Sequence, residues 1–153
     1  MSQPLKTTGQ TASWVSTVGL LVAGDVAAFL LFVWLGRSSH ALSLTDIKAV
    51  VSTAAPFIIS WFAISPWFGL FRADVSRSWR KLLPRLLLAW VVIGGPLGLV
   101  FRALFLGRPL SGGIIPTFAA VTLTVTTLFL LIWRLSYAGW ARRNVDSSAR
   151  VEG

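Results

Sequence analysis

The sequence predicts an all-α fold, a polytopic membrane four-helix bundle with both termini in the cytoplasm (N-in/C-in). Three observations predict it. The apolar residues fall in four long blocks rather than at amphipathic spacing, the pattern of helices immersed in lipid. Charged residues are 12% of the chain and hydrophobic residues 55%, about half the charged share usual in a soluble protein. The basic residues flank the blocks and gather on one side, as topology signals do. At 153 residues the chain is one domain. Its net charge of +9 is therefore read as membrane topology and not as a nucleic-acid surface. Cysteine is absent, which excludes disulfides, thiolate chemistry and cysteine-ligated metal.

Each element follows in order. Residues 1–13 are polar and read as a disordered tail before a transmembrane domain over 14–140. Span one covers about 14–35, with Trp14 and Trp34 near its ends, where aromatic belts lie. It is too long for a signal-peptide core and holds an acid, Asp25, so a retained helix is expected. Gly19, Ala23 and Ala27 repeat every four residues and offer a smooth face for close helix packing. Asp25 lies on another face, with Leu21, Ala28, Phe29 and Phe32.

In the first loop, Ser43 with Asp46 three residues on resembles a capping box opening span two, about 47–71. Pro56 and Pro66 should kink or break that span, and Ser52, Thr53 and Ser60 can re-bond freed backbone groups. The second loop is basic: Arg72, Arg77, Arg80 and Lys81 against Asp74. Span three covers about 82–106, with Pro84 in its first turn and Gly94, Gly95, Pro96 and Gly98 in its middle. Gly94 and Gly98 have the spacing of a close-packing motif, and Pro96 adds a kink. The third loop, residues 107–113, is turn chemistry built on glycine and proline. Span four covers about 114–135 and carries Thr117, Thr122, Thr124, Thr126 and Thr127, whose hydroxyls are expected to bond back to their own helix. Trp133-Arg134 reads as its interfacial end, with Arg134 snorkelling to the headgroups, and residues 141–153 as a second disordered tail.

Counting Lys and Arg sets the threading. One side holds Lys6, Arg72, Arg77, Arg80, Lys81, Arg85, Arg134, Arg142, Arg143 and Arg150; the other holds Arg37, Lys48, Arg102 and Arg108. The richer side is expected in the cytoplasm of a prokaryotic cell, with the protein multi-pass in its cytoplasmic membrane.

Five short motifs carry a resemblance. Gly24-Asp25 in span one, Gly36-Arg37-x-x-His40 at its end, Ala55-Pro56-Phe57 in span two, Pro96-Leu97-Gly98-x-x-x-Arg102 in span three, and Phe118 with Trp133-Arg134 in span four are together similar to a family of small four-helix prokaryotic integral membrane proteins, catalogued as a domain of unknown function. The resemblance covers roughly residues 15–136. It implies an integral membrane protein and supplies no catalytic residues.

The polar residues mark a candidate site. An ionised Asp at bilayer depth costs on the order of 3 kcal/mol, so Asp25 needs a partner. Arg102, about one turn inside the end of span three, is the partner expected if spans one and three are adjacent. Arg37 and His40 would then lie above the pair, completing a polar funnel of Asp25, Arg37, His40 and Arg102 that opens outward. The funnel reads either as a proton or anion site or as a structural pair beneath a solvated loop. His40 alone makes no metal site, and no cofactor is implied. No Ser-His-Asp set, phosphate-cradling glycine loop or HExxH motif occurs.

Three functions remain. The favoured one is a non-enzymatic structural or accessory subunit with an intramembrane polar site, partnered by the lipid bilayer and by copies of itself (a homo-oligomer) or a larger membrane complex. A small oligomeric transporter or channel using Asp25 and the outward Arg and His residues is the alternative. A membrane enzyme acting on a lipid-soluble substrate comes third.

Overall fold

A computed structural model describes residues 7–40, 42, 45–109 and 114–151, with side chains described from residue 15 to residue 143. Among the described residues, five α-helices and one π-helical segment make four long rods, and a sixth, short helix links two of them. Helix α1 is Thr7–Ser39 and α2 is Ile47–Ile64. A short α3, Ala73–Ser76, leads to α4, Trp79–Leu87. The π segment Leu88–Gly94 joins α4 to α5, Gly95–Phe105. Helix α6 is Pro116–Val151. Among the described residues there is no strand. The segments Val15–Ser39, Ile47–Ile64, Trp79–Phe105 and Pro116–Arg143 are long and apolar enough to cross a membrane.

The helices reach further than hydropathy alone suggests. Residues 7–13 continue α1 and residues 141–151 continue α6, where the polar composition predicts tails. Hydropathy measures the stretch that lipid can hold, whereas backbone hydrogen bonding carries a helix on through polar residues. Span two is shorter than expected. It ends at Ile64, just before Pro66, and Ser65 to Phe71 form a run of turns around Gly69, whose φ is +64°. Pro56 is accommodated inside α2. The hydroxyls of Ser52 and Thr53 donate to the Ala49 carbonyl and that of Ser60 to the Phe57 carbonyl, back-bonding along their own helix. The helix opens on Asp46 itself, whose carboxylate accepts from the Ala49 N–H at 3.0 Å. The Ser43 half of the expected capping box lies outside the described residues, as do residues 110–113 of the third loop.

Each rod packs on its sequence neighbours. Helix α1 lies on α2 and α6; α2 lies on α5 and the π segment; α6 closes the ring against α4 and the π segment. Spans one and three are diagonal, not adjacent. The centre is aromatic: Phe29, Phe57, Trp61 and Trp90 are buried and meet at tilted or edge-on angles. Large apolar side chains such as Leu31, Ile59, Val92, Leu128 and Ile132 point outward, as lipid-facing residues do. At the end that carries Arg72, Trp67, Trp79 and Trp140 are exposed, and Arg80 lies 5.3 Å over the Trp79 ring. Asp74 holds Lys81 at 3.3 Å and Arg72 at 3.4 Å there, and Arg142 Nε donates to the Arg77 carbonyl at 2.9 Å.

Glycine makes the closest helix approaches, at partly different positions from those expected. A Cβ on Gly98 would lie 2.6 Å from Phe57 Cδ1 and 2.9 Å from Ser60 Oγ, so α5 meets α2 there. Gly24 lets the Trp133 indole lie directly on α1. Gly94 is buried, but a Cβ there would strike the Ala89 carbonyl and the Trp90 ring of its own π segment. Gly19 and Ala23 are exposed, and nothing lies within 4 Å of a Cβ built on Gly19.

Candidate functional site

The buried charges sit where α1, α2 and α6 converge. Asp25 is on the inward face of α1, with Leu21, Ala28, Phe29 and Phe32, all buried as the helical spacing predicts. Its partner is Arg134 of α6. Arg134 Nε donates to Asp25 Oδ1 at 2.8 Å and Nη2 donates to Oδ2 at 2.5 Å, a two-pronged ion pair. Trp61 Nε1 of α2 donates to the same Oδ2 at 2.9 Å. Arg134 Nη1 donates to the Leu70 carbonyl at 2.8 Å, and the guanidinium lies 4.9 Å over the Phe71 ring. The relative exposure of Asp25 is 0% and that of Arg134 is 1%. One cluster therefore ties three rods and the turn after α2 with charge-assisted bonds that water does not reach.

The expected Asp25–Arg102 pair does not form, and depth explains why. At about 1.5 Å per residue, Asp25 lies about 21 Å from the Ser39 end of α1 and Arg102 only about 5 Å from the Phe105 end of α5. Arg134 lies about 27 Å from the Pro116 end of α6, a difference an arginine side chain bridges. Nor is Arg134 a snorkelling residue. The helix runs on past it, which leaves it inside the bundle. A signal for this existed: Thr122, Thr126, Leu130, Arg134 and Ala138 recur every four residues, and all five are buried.

Arg102, Arg37 and His40 do come together, apart from Asp25. They line a cavity of about 280 Å³ at the Arg37 end, with Phe32, Phe118 and Thr122 among its other walls. The Arg102 guanidinium sits 4.6 Å over the Phe118 ring. From that cavity to Asp25 runs an unbroken series of ring contacts. Phe32 meets Phe57 at 6.2 Å, Phe57 meets Trp90 at 6.4 Å, and Trp90 meets Trp61 at 5.9 Å between centroids. Trp90 Nε1 is itself bonded to Thr126 Oγ1 at 2.9 Å. Among the described residues, no three His, Cys, Asp or Glu side chains assemble into a metal-binding group.

The profile of the family DUF3054, described as a protein of unknown function, matches residues 22–137. The chain belongs to this family. The DUF3054 stretch takes in the whole ion-pair cluster, from Asp25 through Trp61 and Leu70 to Arg134, and the cavity at Arg102. No curated protein and no solved structure matches the chain.

Proposed function

We propose that this multi-pass membrane protein is a non-enzymatic structural or accessory subunit of the prokaryotic cytoplasmic membrane, with its intramembrane charges serving as a clamp. The observation that carries this reading is the enclosure of Asp25 and Arg134. A proton or substrate site must exchange with water or ligand, and this pair is sealed and saturated by its own fold. A transporter would need a polar route from the Arg37 end to Asp25, and the series of aromatic rings supports a closed path instead. The exposed face of Gly19, Ala23 and Ala27 supports contact with a second copy or a larger complex, with the termini cytoplasmic.

The test replaces both charges, Asp25→Leu with Arg134→Leu, in liposomes and in native membranes. The expected result is retained insertion, retained thermal stability and no change in proton or anion flux. A double variant that stays folded yet abolishes a flux carried by the wild type overturns the reading. Self-association is checked by oxidising Ala23→Cys in this cysteine-free chain. A disulfide-linked dimer supports it, and a monomer in nanodiscs without any cross-link excludes it.

A further inference from the structure

The cavity at the Arg37 end has features that a helix clamp does not use. Its walls come from α1 through Phe32 and Arg37, from the turn just after it through His40, from α5 through Arg102, and from α6 through Phe118 and Thr122. A neighbouring cavity of about 70 Å³ shares Arg102 and Phe118 and adds Arg108. Among the described residues, neither is lined by a carboxylate. Arg102 is half-buried, and stacking on Phe118 occupies the flat face of its guanidinium and leaves the N–H edge for an acceptor. Thr122 gives a second, independent sign. It is 0% exposed and lines the same cavity, and its hydroxyl has no hydrogen-bond partner among the described residues. Its neighbours Thr126 and Thr127 both bond back to carbonyls of their own helix. An unpaired buried hydroxyl lining the same cavity as a half-buried cation is an arrangement that an anionic acceptor completes.

We propose that this cavity binds a phosphate-type oxyanion, with Arg102 and Thr122 as direct donors and Arg37, His40 and Arg108 supplying the surrounding donors and positive field. A tetrahedral group with several acceptor oxygens suits donors arriving from three helices better than a planar carboxylate does. The same chemistry has two sources. A phospholipid brings its phosphodiester to the depth of a helix end, and Phe32, Val33 and Val121 offer its apolar part a wall. Free inorganic phosphate is the other source.

The experiment uses the full chain in nanodiscs of phosphatidylcholine. Inorganic phosphate is titrated calorimetrically, and retention of phosphatidylglycerol is read by native mass spectrometry. Wild type is expected to bind at least one of the two probes in preference to phosphatidylcholine. Binding of inorganic phosphate identifies a free oxyanion site, and retention of phosphatidylglycerol alone identifies a headgroup site. Arg102→Gln is expected to weaken binding at least tenfold and Thr122→Val severalfold. Arg72→Gln, exposed at the opposite end, should leave it unchanged. Thr122→Val keeps the test open should Arg102→Gln fail to fold, because its hydroxyl holds no bond of the fold. The proposal is overturned if wild type shows no preference for either probe over phosphatidylcholine. It is equally overturned if Arg72→Gln weakens binding as much as the two cavity variants.

Discussion

An arginine and an aspartate enclosed in a membrane helix bundle are each expensive alone and tolerable together. Arg134 gives two N–H groups to the Asp25 carboxylate and one to the Leu70 carbonyl, and Trp61 gives the carboxylate its third bond. Removing one charge leaves the other buried without compensation. Asp25→Leu or Arg134→Leu alone is therefore expected to destabilise the fold by about 3–5 kcal/mol. The double replacement should recover most of that loss, because an apolar pair of similar volume needs no solvation. Thermal unfolding of the four-member mutant cycle in a mild detergent measures the coupling, and additive single effects would contradict it. Trp61→Phe keeps the ring contacts and deletes one bond to a charged acceptor, for an expected loss of about 1.5–3 kcal/mol. At this scale the inward face of Asp25 was legible in the spacing of Leu21, Ala28, Phe29 and Phe32. Its partner was not, because Trp133-Arg134 has the composition of an interfacial end. Only the four-residue stripe through Thr122 and Leu130 carries Arg134 inward.

At the scale of the element, small residues decide which helices touch. Gly98→Ala places a methyl group 2.6 Å from the Phe57 ring, so α5 must shift from α2. An overpacking loss of about 1–3 kcal/mol is expected in the same unfolding assay. Gly19→Leu meets open space and should leave the monomer's stability unchanged, while abolishing any Ala23→Cys cross-link that forms through that face. The four-residue spacings of Gly19 with Ala23 and of Gly94 with Gly98 look alike in the sequence. Only the second lies inside the fold, and there only Gly98 meets another helix. Such spacing records that a helix can be approached, not what approaches it. The π segment was similarly hidden. Pro96 was visible, but not that the turn before it would widen so that the Gly95 N–H bonds to the Trp90 carbonyl five residues back. That wider turn precedes a proline with no N–H to offer, and it leaves Trp90 and Gly94 both buried.

For the whole molecule, the four spans follow from the apolar blocks and were legible from hydropathy, whereas the ring order, which sets spans one and three on the diagonal, was not, because hydropathy records that a helix sits in lipid and not which helix it faces. The direction of threading rests on charge alone. The ten basic residues on the Arg72 side included Arg134, which the fold buries at 1% exposure and which therefore cannot act as a topology signal. Nine still face four. Some of the nine also hold structure: Arg85 Nη1 donates to the Phe68 carbonyl at 3.3 Å, and Arg142 to the Arg77 carbonyl. Both carbonyls lie at the same end of the bundle, so these bonds keep the charges there rather than neutralise them. Trp67 at 87% exposure, with Trp79 and Trp140 also exposed, adds an aromatic anchor on that side, while Trp34 is exposed toward the other. The Arg72 end is therefore expected in the cytoplasm. Single cysteines at Ser39 and at Ser78, introduced into a chain that has none, report it directly. A membrane-impermeant maleimide added to intact cells should label Ser39→Cys and spare Ser78→Cys, with the pattern reversed in inverted vesicles. Labelling of Ser39→Cys from the cytoplasmic face alone would turn the protein over in the membrane. It would also place the Arg102 cavity among cytoplasmic phosphates instead of at the outer leaflet.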